Sequence, residues 1–318
     1  MYITKCPVCG SSHTIKNGRR KGVQMYACRA CGYQFRNSKT VSNDEIWNAY
    51  MANKQTVSQL SASLGVSPST IKRRLHEIVK EWSQPQLSGG GFVHLDATYW
   101  GRNWGVIAAL DSATGKPLYM EFIQHERVID YKNAVCSIES RSYRIRGIII
   151  DGMPHLFTEL NKYKIQMCQF HMKQIIKRYL TANPRLHVSR ELKAIMEELT
   201  SMTKDAFTSK FNAWKDKWNE TLNKRSLLKS GKTQYTHKRV RAAMHSIEFY
   251  LPYLFTYQEE ECKGMPNTNN KIEGTFTSLK NSIRNHSGMT EENRKRFISG
   301  FFLALAEAHS MKKQDPPR

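Results

Sequence analysis

The chain has 318 residues, 49 of them Lys or Arg against 27 Asp or Glu, for a formal net charge of +22 and a pI near 9.7. With 40% hydrophobic residues and a mean hydropathy of −0.58, it carries enough apolar content to build cores and none of the signature of a disordered chain. A balance this basic points to a polyanion, nucleic acid before membrane surface, and the longest apolar run, around residues 301–306, is far short of the ~20 residues needed to span a bilayer. The first residues lack the apolar stretch of a signal peptide, so a cytoplasmic location with no membrane partner is expected.

In chain order, the first feature is Cys6-Pro-Val-Cys9 and Cys28-Arg-Ala-Cys31, two CxxC pairs with 18 residues between them. Four thiolates from two tight turns make the closed tetrahedral shell that structural Zn²⁺ prefers; unrelated buried thiols or a redox CxxC are the competing readings. Gly10 and Gly32 each follow a pair where the backbone turns left-handed. Gly18-Arg19-Arg20-Lys21-Gly22 reads as a basic hairpin turn, and residues 24–27 as a strand. Residues 1–40 are therefore expected to form a zinc ribbon, with Arg19, Arg20 and Lys21 offered to DNA.

Residues 41–87 predict helices. Ser42 can cap one that carries Ile46, Trp47 and Tyr50, and residues 56–75 read as helix, Gly65 turn and Ser67-capped second helix, a helix-turn-helix pattern. Lys72, Arg73 and Arg74 lie on the second helix, facing DNA in that reading or forming a solvated face in the blander one. Up to residue 87 there are 13 basic and 4 acidic residues, a net of +9. Residues 83–91, with one Pro and three consecutive Gly, read as a linker.

The pattern then changes. Residues 92–99, 104–110 and 117–123 predict three strands joined by hairpins, with Asp111 in a turn. A helix near 130–140, a short apolar strand Gly147-Ile-Ile-Ile150, a helix near 154–162, a strand 164–168 and a helix bearing His171 follow. Three antiparallel strands followed by alternating helix and strand is the layout of an α/β ribonuclease-H-like domain, here spanning 88–318. Residues from about 181 to 265 read as an all-helical insertion, with Phe207, Phe211, Trp214 and Trp218 as core rather than base-stacking side chains. Two further helices complete the chain.

Three carboxylates stand out. Asp96 interrupts the first strand, Asp151 ends the buried apolar strand, and Glu273 lies early in a late helix. In a ribonuclease-H-like sheet the first strand and the strand after the first helix are neighbours, so these acids would converge and require divalent cations.

The ordered set His94-Leu-Asp96-Ala-Thr-Tyr-Trp-Gly-Arg102, Ile149-Ile-Asp151-Gly152, Cys168-Gln-Phe-His171 and Asn267-Thr-Asn-Asn270-Lys-Ile-Glu273-Gly274 resembles the DDE transposases of bacterial insertion sequences in the Mutator-like superfamily, in the variant with an N-terminal zinc ribbon. The third segment fits that family's C/D-x-x-H signature and the fourth its N-x-x-E signature. The resemblance implies Asp96, Asp151 and Glu273 as a catalytic triad using Mg²⁺ or Mn²⁺. It also implies that ribbon and helix-turn-helix bind the element's terminal inverted repeats, and that at least a homodimer forms on double-stranded DNA in the bacterial nucleoid. Cys168 and His171 share one face of their helix, as metal ligands or as packing groups that orient the site. Asn270 positions Glu273 or a phosphate, or caps the helix, and Arg102 meets a phosphate or solvent. A non-catalytic DNA-binding regulator and a structure-specific nuclease of the same fold are the alternative functions.

Overall fold

The computed structural model describes residues 5–36, 41–51, 55–78, 81–286 and 288–311. The chain divides into two compact units, Met1–Ile78 and Val79–Arg318. The boundary expected at residue 40 lies outside the described residues.

In the first unit, β1 (Thr14–Arg20), β2 (Val23–Cys28) and β3 (Gln34–Arg36) form an antiparallel sheet in that order. The β1–β2 turn is the two-residue Lys21-Gly22, with φ of 49° and 79°; positive φ at both positions gives the primed turn whose twist suits a hairpin. Arg19 and Arg20 thus belong to the strand rather than to the turn. The amides of Gly10 and Gly32 donate to the carbonyls of Cys6 and Cys28 at 2.9 Å, and both glycines sit near φ +70°. Three helices follow: α1 (Asn43–Met51), α2 (Val57–Leu64) and α3 (Pro68–Glu77). Each starts on a hydroxyl cap. Ser42 Oγ accepts from Glu45 N at 3.0 Å, Thr56 and Gln59 form a reciprocal capping box, and Ser67 accepts from Thr70 N. Gly65, at φ 64°, ends α2 and turns the chain into α3. Val41, Ile46, Leu60 and Ile71 make a small buried core.

The second unit holds a five-stranded sheet. Its strands are β4 (Gly90–Trp100), β5 (Trp104–Asp111), β6 (Pro117–Ile123), β7 (Arg144–Ile150) and β8 (Lys164–Met167), in the spatial order β6-β5-β4-β7-β8. β4, β5 and β6 are antiparallel; β4–β7 and β7–β8 are parallel. The parallel pairs need crossovers, supplied by α4 (Val128–Ser140) and α5 (Pro154–Glu159). β4 and β7 begin with Gly90 opposite Arg144 and Gly91 opposite Ile145. The register then shifts by one residue of β7, so that Phe92 meets Gly147 and His94 meets Ile149. A Cβ on Gly90 would lie 2.4 Å from the Arg144 carbonyl oxygen, so glycine is required where the strands meet. The stretch read as a linker is tied to this unit. Pro85 O accepts from Arg141 Nη1 at 2.8 Å, and Gln84 Nε2 donates to Met120 O.

Beyond β8 come α6 (Gln169–Leu180), α7 (His187–Glu197), α8 (Lys204–Lys217) and α9 (Asn219–Asn223). The all-helical expectation for 181–265 is corrected here, because β9 (Arg225–Leu227) and β10 (Thr233–Tyr235) form an antiparallel hairpin. Its polar strands lack an alternating apolar face. It is held instead by Arg225 and Arg241, whose guanidinium carbons lie 4.5 and 3.6 Å from the centre of the Tyr235 ring. Helix α10 (Lys238–Leu254) follows, then α11 (Asn270–Arg284) and α12 (Glu291–Met311). One continuous core joins Leu95, Ile107 and Ile148 of the sheet, Tyr131 of α4, and Phe207, Phe211, Trp214 and Tyr250 of the helical segment. The aromatics are core residues, as their spacing predicts. No helix among the described residues is long and apolar enough to cross a membrane.

Candidate active site

The parallel ladder between β4 and β7 sets the first geometric fact. Its last paired residues are His94 and Ile149. Two residues further along are Asp96, within β4, and Asp151, just past the end of β7, so the two acids stand abreast on one face of the sheet. That face is covered by α11, which packs on β4 and carries Glu273 in its first turn. The opposite face, with Val93, Leu95, Ile148 and Ile150, is sealed in the main core.

His171, in the first turn of α6, joins the acids. Its Nδ1 lies 2.8 Å from Asp151 Oδ1 and 3.5 Å from Glu273 Oε1. The short contact is electrostatic rather than a directed hydrogen bond: His171 Nδ1 and Glu273 Oε1 are both buried, and neither has a hydrogen-bond partner among the described residues. Cys168, the N-cap of α6, completes a group in which the donor atoms of Asp151, Cys168 and His171 all lie within 4.8 Å of one another. Burial opposes a charge on His171, but Asp151 and Cys168 outweigh it and hold the imidazole pKa up to about 11. Burial first, and then the Asp151 carboxylate, push Asp96 well above the usual carboxylate range. Glu273 is raised as well, by burial first and by Asp151, with His171 pulling the other way.

These residues fit a divalent cation. Crowded carboxylates that resist ionisation are what a dication would relieve. Asp96, Asp151 and Glu273 offer the oxygens Mg²⁺ takes, but among the described residues the donor atoms close enough to share one ion are those of Asp151, Cys168 and His171, of which the imidazole and thiol are softer donors that suit Mn²⁺ or Zn²⁺.

The closest polar support comes from a residue next to the one singled out in the sequence. Asn269 is fully buried. Its Oδ1 and His94 Nδ1 are 2.9 Å apart, its Nδ2 donates to Leu95 O and Asp151 Oδ1 at 3.4 Å each, and its amide donates to Cys168 Sγ at 3.2 Å. Asn269 thereby ties β4, β7, α6 and α11 together at the acids. Asn270 is the exposed first residue of α11. His94 shares the Asp96 face of β4, a period-two signal that could have found it. Glu126, hydrogen-bonded by Tyr131 Oη, adds negative charge near Asp96 and had no sequence signal. Asp111 is consumed by its turn, accepting from Thr114 and Tyr143.

The helical segment reaches the site through Tyr250 of α10, whose hydroxyl donates to Gly152 O at 2.6 Å. A Cβ on Gly152 would come within 2.7 Å of Ile175 Cδ1, so a side chain after Asp151 would have to displace the end of Ile175.

In the first unit, Cys6 Sγ is 3.6 Å from Cys31 Sγ and Cys9 Sγ is 3.5 Å from Cys28 Sγ, and the four sulfurs form one cluster. A tetrahedron with Zn–S bonds of ~2.3 Å has edges of about 3.8 Å, so the cluster can hold zinc. Burial opposes ionisation of Cys28, yet the amides of Cys31 and Ala30 overcome it and bring the thiol down to about 6, ready to ligate. Of the expected DNA contacts, Arg19, Arg20, Lys21, Lys72 and Arg102 are exposed. Arg73 is paired with Glu77 at 2.6 Å, and Arg74 turns back to the Val41 carbonyl.

No protein-family model matches the chain, and no curated protein does. Among solved structures it has a likeness to the cryo-EM structure of simian T-cell lymphotropic virus intasome in complex with PP2A regulatory subunit B56 gamma, at 9% identity and a TM-score of 0.22. That match covers 65% of this chain and 66% of the other, just under two thirds of its length, and is too faint to carry an argument.

Proposed function

We propose that the chain is a DDE-type DNA transposase of the Mutator-like, zinc-ribbon kind. The observation that carries this reading is the β4–β7 register, which sets Asp96 and Asp151 abreast under the α11 helix that brings Glu273. The mixed sheet, with three antiparallel strands followed by two parallel ones, supports the ribonuclease-H-like reading. The basic first unit, with its four-cysteine cluster and capped helix-turn-helix, suits binding of DNA ends.

In this reading Asp96, Asp151 and Glu273 hold the divalent cations, and Cys6, Cys9, Cys28 and Cys31 hold zinc. The bound dications would supply charge neutralisation at the scissile phosphate and an activated oxygen nucleophile. The chain's own residues do the rest. Asn269 fixes Asp151 and Cys168 against β4 and α11. His171 balances the negative charge of Asp151 and Glu273. Tyr250 and the bare Gly152 hold the loop that follows Asp151.

The test uses the purified chain with Mg²⁺ or Mn²⁺ and a labelled duplex carrying the inverted repeats that flank its gene. Wild type is expected to nick the repeat end and join the freed 3′-hydroxyl to a second duplex. Asp151→Asn is expected to lose at least about 1,000-fold in cleavage while binding the repeat normally. Cleavage that survives Asp151→Asn overturns the assignment. Hydrolysis without joining favours a nuclease, and binding without any cleavage a regulator.

A further inference from the structure

Beyond the acids, along both elements that carry two of them, lies a cleft of about 460 Å³ lined by Tyr99, Trp100, Lys280, Arg284, His286 and Arg294. Lys280 follows Glu273 by seven residues of α11, two turns on along the same face and ~10 Å away. Trp100 follows Asp96 by four residues of β4, on the same face and ~13 Å away. The cleft is therefore within a few nucleotides of the acids.

Its lining combines rings with cations. Trp104 stacks on Trp100 at 5.2 Å and 23°, bracing that ring, and Lys295 Nζ lies 5.3 Å from the centre of Trp104. One polar atom of the lining residues, Arg294 Nε, is buried and has no hydrogen-bond partner among the described residues. Buried donors left unpaired are costly in a folded protein and call for a ligand or water that satisfies them.

We propose that this cleft receives an unpaired nucleotide of the DNA strand held at the acids, its base against the Trp100 ring and its phosphates on Lys280, Arg284 and Arg294. This rests on the reading given under Proposed function. The volume lies in the ~300–1,000 Å³ range of pockets that enclose small ligands, and aromatic rings beside cations are how proteins hold unpaired bases of any sequence. An intact duplex would meet the cations but could not offer a base to a recessed ring without opening.

The experiment measures binding of the full-length, zinc-loaded chain, without other divalent metal, to a short fluorescein-labelled oligothymidylate and to a blunt duplex of mixed sequence. Trp100→Ala is expected to weaken oligothymidylate binding about tenfold while changing duplex binding less than about twofold, and Trp100→Phe to restore it. Arg284→Ala, an exposed position that folding tolerates, is expected to lower the slope of log affinity against log salt by about 0.7 for the oligothymidylate. Oligothymidylate containing 5-bromodeoxyuridine should photo-crosslink to the peptide bearing Tyr99 and Trp100. Unchanged oligothymidylate affinity in Trp100→Ala, equal losses for both probes, an unchanged salt slope in Arg284→Ala, or crosslinks confined to residues 5–78 would each overturn the proposal. Because no cleavage is read, a chain that passes this test but never cuts DNA fails only the transposase reading. One that cuts through Asp151 but fails here loses only the cleft.

Discussion

The two units solve the problem of stability by different means. In the sheet of the first unit, Cys6, Cys28 and Phe35 are the buried side chains of the local cluster, with Tyr26 against them, and the helices share a core of four residues. The second unit buries β5 throughout and joins sheet and helices in one core. Apolar burial contributes roughly 1.5–3 kcal/mol per large side chain, so the sheet of the first unit cannot hold itself by packing alone, whereas the second has packing to spare. It can therefore tolerate a cluster of mutually repelling acids.

This contrast can be broken in three ways. The largest effect is expected from stripping the metal. Zinc held by four cysteines contributes on the order of 10–16 kcal/mol to small domains, so chelation or Cys28→Ser should collapse the three-stranded sheet. The melting transition of the second unit should stay in place, and calorimetry that shows both transitions falling together would refute the division. Next is Phe157→Ala, a fully buried ring packed against Phe249, Tyr250 and Tyr253. Large-to-small truncation should cost ~3–5 kcal/mol, lowering the second transition by roughly 6–20 °C with the first unmoved. The smallest effect has the opposite sign.

Asp96 and Glu273 have raised carboxyl pKa values in the folded chain, so the folded state favours their protonated forms. Their contribution is fully present below the ordinary carboxylate pKa of about 4 and is lost as the pH rises above it. The raised His171 acts in the same direction, its contribution being lost between about 6.5 and 11. At pH 7 without divalent cations, Asp96→Asn should therefore raise the second transition by about 2–4 °C. Added Mn²⁺ should stabilise wild type and leave the variant almost unmoved. A lower melting temperature in Asp96→Asn would show that the carboxylates do not repel.

Much of this was legible in one dimension, because the signals are local. The cysteine spacing, the Ser42 and Ser67 caps, the strands of the sheet and the odd placement of Asp96 can each be read from a short window. What could not be read depends on register or on contacts far apart in the chain. Three asparagines lie between residues 267 and 270, and only the packing of α11 on β4 selects Asn269 as the buried one. Arg74 looks identical to Lys72 until the Val41 carbonyl is brought beside it. The β9–β10 hairpin depends on a Tyr235 ring clasped by two arginines, a contact with no periodic trace.

The shift in register between β4 and β7 has a consequence beyond the ladder itself. The extra residue on β7 is Arg146, whose guanidinium lies over the Phe92 ring at 4.6 Å and donates to Glu261 O. Were Arg146 paired regularly with Phe92 instead of bulged out, every later position on β7 would meet β4 one place out of step, and side chains one place apart on a strand point to opposite faces. Asp151 would then stand abreast of Ala97 and face away from Asp96. Arg146 is thus the phase adjuster of the sheet: one bulged residue, its guanidinium held over Phe92 and on the Glu261 carbonyl, decides whether the two acids look at each other or at opposite sides of the protein.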